Sequence, residues 1–212
     1  MNGKNESLEM RDRIFSEEQM YYFVGRAAKE KKFFQTERAL PLMKQYHSGQ
    51  FREGKERVPY INHPLMMACH AFALHIENDD MIAAILYHDV CEDCGVELEE
   101  LPANENVREI VDCLTFRVED GETRAEAKQR YYEKIRRNKL AAIIKLLDRC
   151  NNVSTMANGF TKERMKKYIR ETENYILPLI DFVEENCQEW LYAAFLLRYQ
   201  IQSMIESLKR VL

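Results

Sequence analysis

The chain has 212 residues, with 31 basic and 35 acidic side chains, a formal net charge of −4 and 46% hydrophobic residues. That length suggests one large domain or two small ones, and the charge balance argues against a broad basic surface for duplex nucleic acid. With 7 Gly and 5 Pro, a β-sandwich or barrel with many tight turns is disfavoured and long helices are favoured.

The sequence gives no sign of a secretory signal or a membrane span. Residues 1–9 are polar, unlike a signal peptide, and no run approaches the ~18–20 apolar residues that cross a bilayer. The six scattered cysteines suit reduced thiols in a cytoplasmic protein. Cys91 and Cys94 form a CxxC pair without a second CxxC or a paired His motif, so we interpret it as incidental. The alternative is a redox pair whose joining bends the neighbouring loop and removes activity.

The first half of the chain is predicted to be helical around one irregular, basic stretch. Residues 1–15 are expected to be a frayed lead-in, and Ser16 is predicted to cap the first helix. The irregular stretch, residues 48–64, contains two Gly and two Pro and carries Arg52 and Lys55. The predicted helices span about residues 16–31, 36–47 and 62–75, and then run from Asn78 to the His88-Asp89 pair.

The second half is also predicted to be helical. Residues 95–104 read as a loop with a short acidic turn, and the almost wholly apolar run 140–147 leads into Asp148. The other predicted helices lie at about 107–114, 124–137, 161–178 and 187–212, of which 124–137 is highly charged. With no convincing alternating strand and no internal repeat, the sequence predicts an all-α protein.

Chemistry-bearing residues gather at the ends of the predicted buried elements. His63 begins one helix, His88 and Asp89 end the next, and Asp148 is expected to end a third. Two imidazoles and two carboxylates make a plausible ligand set with coordination left for water, suited to Mn, Fe or Zn. A single His-Asp pair alone is also consistent with a helix that ends in solvated charged side chains. His70 is interpreted as a packed histidine, and His47 and His75 are interpreted as surface or capping residues.

The order H…HD…D is the signature of the HD phosphohydrolase superfamily. Four stretches in fixed order resemble, more closely, the hydrolase domain of RelA/SpoT homologues over about residues 38–182. They are Arg52…Pro59-Tyr60-Ile61-Asn62-His63-Pro64, His88-Asp89-Val90-Cys91-Glu92-Asp93, Ile144-Lys145-Leu146-Leu147-Asp148-Arg149-Cys150-Asn151-Asn152, and Glu171-Thr172…Pro178-Leu179. The resemblance implies an HD-domain helical bundle that is a single hydrolase domain over 1–212, acting on the alarmones ppGpp and pppGpp to give GDP or GTP and pyrophosphate.

The resemblance also implies a role for each matching residue. His63, His88, Asp89 and Asp148 would hold one Mn(II), and Glu92 and Asp93 would activate or position the attacking water. The implied substrate-binding residues are Arg52, which packs on guanine, with Lys55, Asn152 and Thr155. The sequence departs from the family pattern at three positions, with Asn151 in place of the usual His, Cys94 in place of Thr and Leu140 in place of Arg.

Two alternatives to the alarmone hydrolase stay open at this level. One is a phosphohydrolase on the same scaffold that acts on another nucleotide, such as the phosphate of NADPH. The other is a non-catalytic domain that binds a nucleotide as a sensor. We expect a guanine nucleotide as partner and neither nucleic acid nor membrane. The last helix has more apolar surface than one face needs, so we expect it to close the bundle or to form a homodimer contact.

Overall fold

The computed structural model describes residues 16–54 and 56–212, and this part of the chain is all-α, as predicted. The expected lead-in, residues 1–15, and the predicted substrate residue Lys55 lie outside the described residues. Within these ranges β pairing is limited to an isolated antiparallel bridge between Phe51 and Pro59. The helices in chain order are α1 (Glu17–Lys31), α2 (Phe34–Tyr46), α3 (Asn62–Ala73), α4 (Asp79–Tyr87), α5 (Val90–Asp93), α6 (Glu105–Leu114), α7 (Arg124–Arg137), α8 (Lys139–Thr155), α9 (Lys162–Glu171), α10 (Leu177–Asn186) and α11 (Leu191–Lys209).

The predicted helix starts are confirmed by their capping hydrogen bonds. The Ser16 hydroxyl accepts from the backbone N–H of Gln19 at 3.5 Å, and the Asn78 side chain accepts from that of Met81 at 2.9 Å. Each cap satisfies a donor that the first turn of a helix leaves unpaired. The sequence therefore carries the local signals that set these boundaries.

Two helices, α4 and α8, form the centre of the core. Every side chain from Met81 to Tyr87 in α4 is buried, and α8 contacts α3, α4, α6, α7, α10 and α11. Their apolar runs are buried on all sides, because each helix is surrounded by other helices rather than by water. Residues carried on α4 and α8 are therefore held in fixed positions.

Two predicted boundaries were wrong. Asp148 does not end a buried element, since α8 continues to Thr155 and keeps Cys150 and Val153 buried. The helix predicted over 161–178 is interrupted by a π-helical turn, Thr172–Ile176. Pro178 then lies in the first turn of α10, where its missing N–H removes no helical hydrogen bond. Pro178 was predicted to end a helix, and it lies instead at the beginning of the next one.

Helix α11 closes one side of the bundle. Ala194, Leu197 and Ile201 are buried against the core, whereas Tyr192 is 87% exposed and Phe195 is 62% exposed. The homodimer contact expected for this outer face stays a prediction. Across the described ranges, no helix is both long and apolar enough to cross a membrane.

Candidate metal and hydrolase site

A wide cleft of about 2090 Å³ runs across the face where α3, α4 and α8 meet. Nine of the ten predicted site residues line it, and the tenth, Lys55, lies outside the described residues. Those in the lining are Arg52, His63, His88, Asp89, Glu92, Asp93, Asp148, Asn152 and Thr155. Residues as far apart in the sequence as Arg52 and Thr155 are therefore brought to one surface.

Three side chains at the base of the cleft form a group that could hold a metal ion. One ligand atom from each of His63, His88 and Asp148 lies within 4.8 Å of the others, and all three residues are buried. The two imidazole Nε2 atoms are 3.2 Å apart, and Nε2 of His63 is 3.2 Å from Oδ1 of Asp148. Each residue comes from a different helix or helix end, so packing of the core positions the group.

Asp89 lies at the edge of the same group. Its Oδ2 is 2.9 Å from Nε2 of His88 and 3.7 Å from Nε2 of His63. His88 directly follows α4 and Asp89 directly precedes α5, so the end of one buried helix positions both residues. Two imidazoles and two carboxylates therefore converge, and this donor set fits a divalent cation that takes nitrogen and oxygen ligands. His63, His88, Asp89 and Asp148 are together called the metal group.

Each of the four side chains also has a hydrogen-bond partner outside the set. Nδ1 of His88 donates to the carbonyl oxygen of Ile85 at 2.7 Å, and the Tyr60 hydroxyl donates to Oδ2 of Asp89 at 2.6 Å. Partners of this kind orient metal ligands and fix the imidazole tautomer, so that Nε2 can bind the metal. This role of Tyr60 was not predicted from the sequence.

The shared burial of these groups changes their proton affinities. Burial lowers the pKa of His63. Burial also acts to lower the pKa of His88, but the neighbouring Asp89 and Asp148 carboxylates outweigh it and raise that pKa to about 9. Burial acts to raise the pKa of Asp148, yet Lys145 and the histidines hold it well below its usual range. Asp148 is thus ionised at neutral pH, as a carboxylate that binds a metal must be.

The predicted catalytic carboxylates follow the ligands within one helical turn. Oε2 of Glu92 accepts from the backbone N–H of Phe116 at 3.2 Å. Burial raises the pKa of Glu92, a direction that favours taking up a proton near neutral pH. The backbone carbonyl of Asp93 accepts from the Gln50 side chain at 3.2 Å. This hydrogen bond connects α5 to the irregular stretch, residues 48–64, that carries Arg52.

Two hydrogen bonds join Arg52, which is predicted to pack on guanine, to Asp148 of the metal group. The Arg52 guanidinium donates to Oδ1 of Asn152 at 2.6 Å, and Nδ2 of Asn152 donates to Oδ1 of Asp148 at 2.5 Å. Asn152 was predicted only as a substrate contact, yet both ends of its amide connect protein groups. Thr155 lies one turn beyond it, and its hydroxyl donates to the carbonyl of Asn151 at 3.0 Å.

His47 does not lie on the surface, although it does cap α2 as expected. It is 2% exposed, and its ring stacks on Tyr60 with the centroids 4.6 Å apart. Sγ of Cys94 lies 3.4 Å from Nδ1 of His47. Burial raises the pKa of Cys91 to about 11 and also raises that of Cys94. Both side chains are therefore thiols at neutral pH, which disfavours the redox alternative.

Two cations from the charged α7 reach the cleft. Arg124 and Lys128 line it together with Lys145 of α8. Nζ of Lys145 is 2.7 Å from Oδ2 of Asp148, next to the metal group. Three cations in the lining supply the charge that bound phosphate groups need.

The side chain of Arg149 belongs to a buried network next to the site. Its guanidinium donates to Oε1 of Glu171 at 2.8 Å and to the hydroxyls of Thr172 and Tyr132 at 3.2 Å each. It also lies 3.9 Å from the centroid of the Tyr168 ring. Glu171 is bonded in addition to Lys128 of α7. The network connects α7, α8, α9 and the π-helical turn.

The loop that carries Arg52 lies against the turn after α8 through two glycines. A Cβ on Gly159 would meet the carbonyl oxygen of Glu53 at 2.4 Å. Gly54 has a φ of +133°, and a Cβ there would meet the carbonyl of Asn158 at 3.0 Å. Because the two backbones are in direct contact, only glycine fits at residue 159 without moving the loop. Glu53 is also paired with Arg164.

A sequence profile described as "HD domain" matches residues 39–179, which is most of the chain. The chain belongs to the HD domain family. The predicted superfamily is thereby confirmed, and the four side chains found together here are the ones that the H…HD…D order pointed to.

Other HD domain proteins with sequence similarity include RelA/SpoT-type enzymes. The chain is 34% identical over 145 residues to a Haemophilus influenzae protein described as guanosine-3′,5′-bis(diphosphate) 3′-pyrophosphohydrolase, covering 63% of this chain and 20% of that protein. It is 31% identical over 161 residues to a Streptomyces coelicolor GTP pyrophosphokinase, covering 74% of this chain and 18% of that protein. The chain thus spans about a fifth of the length of these relatives.

A solved structure has the same HD domain fold. It is that of a metazoan ortholog of SpoT that is described as hydrolysing ppGpp. The match has a TM-score of 0.62 at 19% sequence identity and covers 82% of this chain and 94% of that one. The predicted all-α HD-domain bundle is confirmed at the level of the fold.

Proposed function

We propose that this chain is a metal-dependent hydrolase that removes pyrophosphate from the ribose 3′ position of ppGpp and pppGpp. One observation carries the proposal, namely that the metal group, the Glu92-Asp93 turn and Arg52 line a single cleft. The sequence relatives described as ppGpp 3′-pyrophosphohydrolases support the substrate class. We further propose that residues 1–212 act as one hydrolase domain.

The ligand types suit one Mn(II) per chain, although Fe(II) or Zn(II) would also be accepted by two imidazoles and two carboxylates. Such a cation, when bound by His63, His88, Asp89 and Asp148, lowers the pKa of water and neutralises phosphoryl charge. Glu92 lies one turn from these ligands and is proposed to take the proton of the attacking water. Asp93 is proposed to hold that water in position.

Other residues of the cleft lining are proposed to hold the nucleotide. Arg52 has a planar guanidinium, which stacks on a purine better than a lysine would. Asn152, Thr155 and Lys55 are proposed to contact the nucleoside. Arg124, Lys128 and Lys145 line the cleft and are proposed to pair with the phosphate groups, whose charge would otherwise repel the surrounding carboxylates.

The test is product analysis with the full chain, stripped of metal by a chelator and incubated with ppGpp in the presence or absence of added Mn(II). We expect GDP and pyrophosphate in equal amounts, formed only with Mn(II). Glu92→Gln should slow turnover by about 10²–10⁴-fold, the usual contribution of a general base. Glu99→Gln, a change at an exposed acid on the turn before α6, is the matched control and should keep parental turnover.

Three results would contradict parts of this proposal. Metal binding without ppGpp turnover, followed by phosphate release from NADPH, would move the substrate to another phosphorylated nucleotide. Nucleotide binding without hydrolysis of either compound would indicate a sensor. Unchanged turnover in Glu92→Gln would remove Glu92 from the proton transfer.

A further inference from the structure

The two histidines of the metal group are held at Nδ1 by acceptors of different kinds. Nδ1 of His88 donates to the backbone carbonyl of Ile85, whereas Nδ1 of His63 lies 2.5 Å from the side-chain oxygen Oδ1 of Asn151. A backbone carbonyl is present whatever the residue, but a carboxamide is present only because residue 151 is Asn. The state of the His63 ring therefore depends on one replaceable side chain.

We propose that Asn151 is a positioning residue that fixes His63 in the tautomer with the proton on Nδ1. In that tautomer the lone pair of Nε2 points into the metal group, where Nε2 lies 3.2 Å from Oδ1 of Asp148. The inference rests on the proposed metal-dependent function, and it adds a residue that the resemblance to RelA/SpoT hydrolases leaves without a role.

The alternative tautomer carries its proton on Nε2. It requires no change in the position of the ring, but it is incompatible with metal binding. With the proton on Nε2, the ring would donate to Oδ1 of Asp148, which is already within hydrogen-bond distance. His63 is 1% exposed, so water does not compensate an unpaired Nδ1–H, and a buried donor without an acceptor is costly. Loss of the Asn151 oxygen would therefore move the proton to Nε2 and occupy the position that the metal needs.

Neighbouring residues on α8 serve different ligands of the metal group. Asn152 donates to Asp148, and Asn151, one position earlier, accepts from His63 across to α3. The RelA/SpoT pattern has His at the position of Asn151. An imidazole nitrogen can also accept a hydrogen bond from Nδ1–H, so Asn151→His is a conservative variant that keeps the proposed interaction with a different side chain.

The test compares Mn(II) affinity in full-length variants, measured by titration with electron paramagnetic resonance. Asn151→Leu keeps the size of the side chain but removes the acceptor, and it should weaken Mn(II) binding by about 10–100-fold, as loss of an outer partner of a ligand does. Asn151→His should recover most of the affinity. The control is Asn186→Leu, which removes an exposed amide bonded within α10 and should bind as the parental protein does.

A second readout reports the tautomer itself. Nitrogen-15 NMR of the histidine rings in the metal-free chain should show the His63 proton on Nδ1 in the parental protein and on Nε2 in Asn151→Leu. A merely structural role for Asn151 would not move this proton. Parental Mn(II) affinity in Asn151→Leu, or an unchanged tautomer, would overturn the proposal.

Asn151→Asp provides a further variant if the leucine variant does not fold. A carboxylate acceptor makes the imidazole a stronger ligand, so this variant should bind Mn(II) more tightly than the parental chain, and equal or weaker binding would contradict the proposal. Affinity and tautomer do not require turnover. A parental chain that binds Mn(II) but leaves ppGpp intact would therefore reject the proposed function without rejecting the role of Asn151.

Discussion

Asp148 and Arg149 are consecutive residues of α8, yet they belong to buried polar clusters of opposite kinds. Arg149 is a donor surrounded by acceptors, because Glu171, Thr172 and Tyr132 each receive one of its N–H groups. Asp148 pairs with Lys145 and accepts from Asn152, but its Oδ1 also lies 3.2 Å from another atom that can bind a metal, Nε2 of His63. One cluster is complementary within the protein, and the other brings together groups that share a preference for a cation.

The difference indicates how a structural cluster can be told from a functional one. Burial of a charge is tolerated when protein groups of the opposite kind satisfy it, as around Arg149. Where ligand atoms of two histidines and two carboxylates converge instead, the arrangement is best satisfied by a bound cation. Substitutions in the first cluster should therefore affect stability, and those in the second should affect metal binding and turnover.

The largest expected effect is that of Asp148→Asn, which removes one charge from the metal group. Loss of several kcal/mol of charge stabilisation corresponds to a decrease of about 10³-fold or more in ppGpp turnover. Mn(II) titration and product analysis measure both effects. Asp181→Asn, at an exposed aspartate paired with Arg198, is the control. A variant that keeps parental metal affinity would remove Asp148 from the ligand set.

Arg149→Met should change stability instead. Breaking a buried ion pair costs about 3–5 kcal/mol in the free energy of unfolding, which urea denaturation measures. The folded fraction should bind Mn(II) with near-parental affinity, because Arg149 contacts none of the four ligands through its guanidinium. Arg170→Met, at an exposed residue of α9, should change the unfolding free energy by less than about 0.5 kcal/mol. Equal effects of the two substitutions would contradict the structural role of Arg149.

Glu171→Gln should reveal the same cluster through its pH dependence. Burial acts to raise the pKa of Glu171, but the Arg149 charge and the hydrogen bond from Lys128 outweigh it and lower that pKa. The stabilisation by the carboxylate is therefore fully present above the unfolded-state pKa of about 4.3 and is lost as the pH falls through the folded-state pKa.

The variant should thus be about 2 kcal/mol less stable than the parental protein at pH 7, with a smaller difference in acid. Urea denaturation at pH 7 and at pH 3 gives the comparison. A difference in unfolding free energy that is the same at both values would show that the Glu171 charge does not contribute.

Tyr60→Phe should give the smallest of these effects. It changes the metal group and not the cluster around Arg149. It removes the hydroxyl that donates to Asp89 and keeps the ring that stacks on His47. Mn(II) affinity should fall about 10-fold, at the lower end for an outer partner of a ligand. Tyr22→Phe, at a 70% exposed tyrosine, should have no effect. If both variants bind alike, the hydroxyl does not position Asp89.

The fold and the metal group could be predicted from the sequence because their signals are local. Caps such as Ser16 and Asn78 act over three residues, and the apolar runs that become α4 and α8 are continuous in the chain. The H…HD…D order specifies the ligands by residue type. Asp148 was nevertheless placed at the end of an element, since polar residues after an apolar run look like a helix end when the packing of α11 and α3 is not known.

The groups that hold the ligands could not be predicted in the same way. The bond between Asn151 and His63 joins residues 88 positions apart, and that from Tyr60 to Asp89 joins residues 29 apart. Neither residue has a local pattern that indicates its partner. His47 was expected to be a surface or capping residue for the same reason, because its burial depends on Tyr60 and not on its own helix.

The contact between Gly54 and Gly159 has a consequence for changing the specificity of the domain. The loop that carries Arg52 meets the turn after α8 through backbone atoms at these two glycines, so this contact does not depend on the identity of neighbouring side chains. Variation at residue 52 removes the hydrogen bond to Asn152 but keeps this backbone contact, whereas residue 159 tolerates no side chain. A search for variants that accept other nucleotides should randomise the loop and leave the two glycines in place.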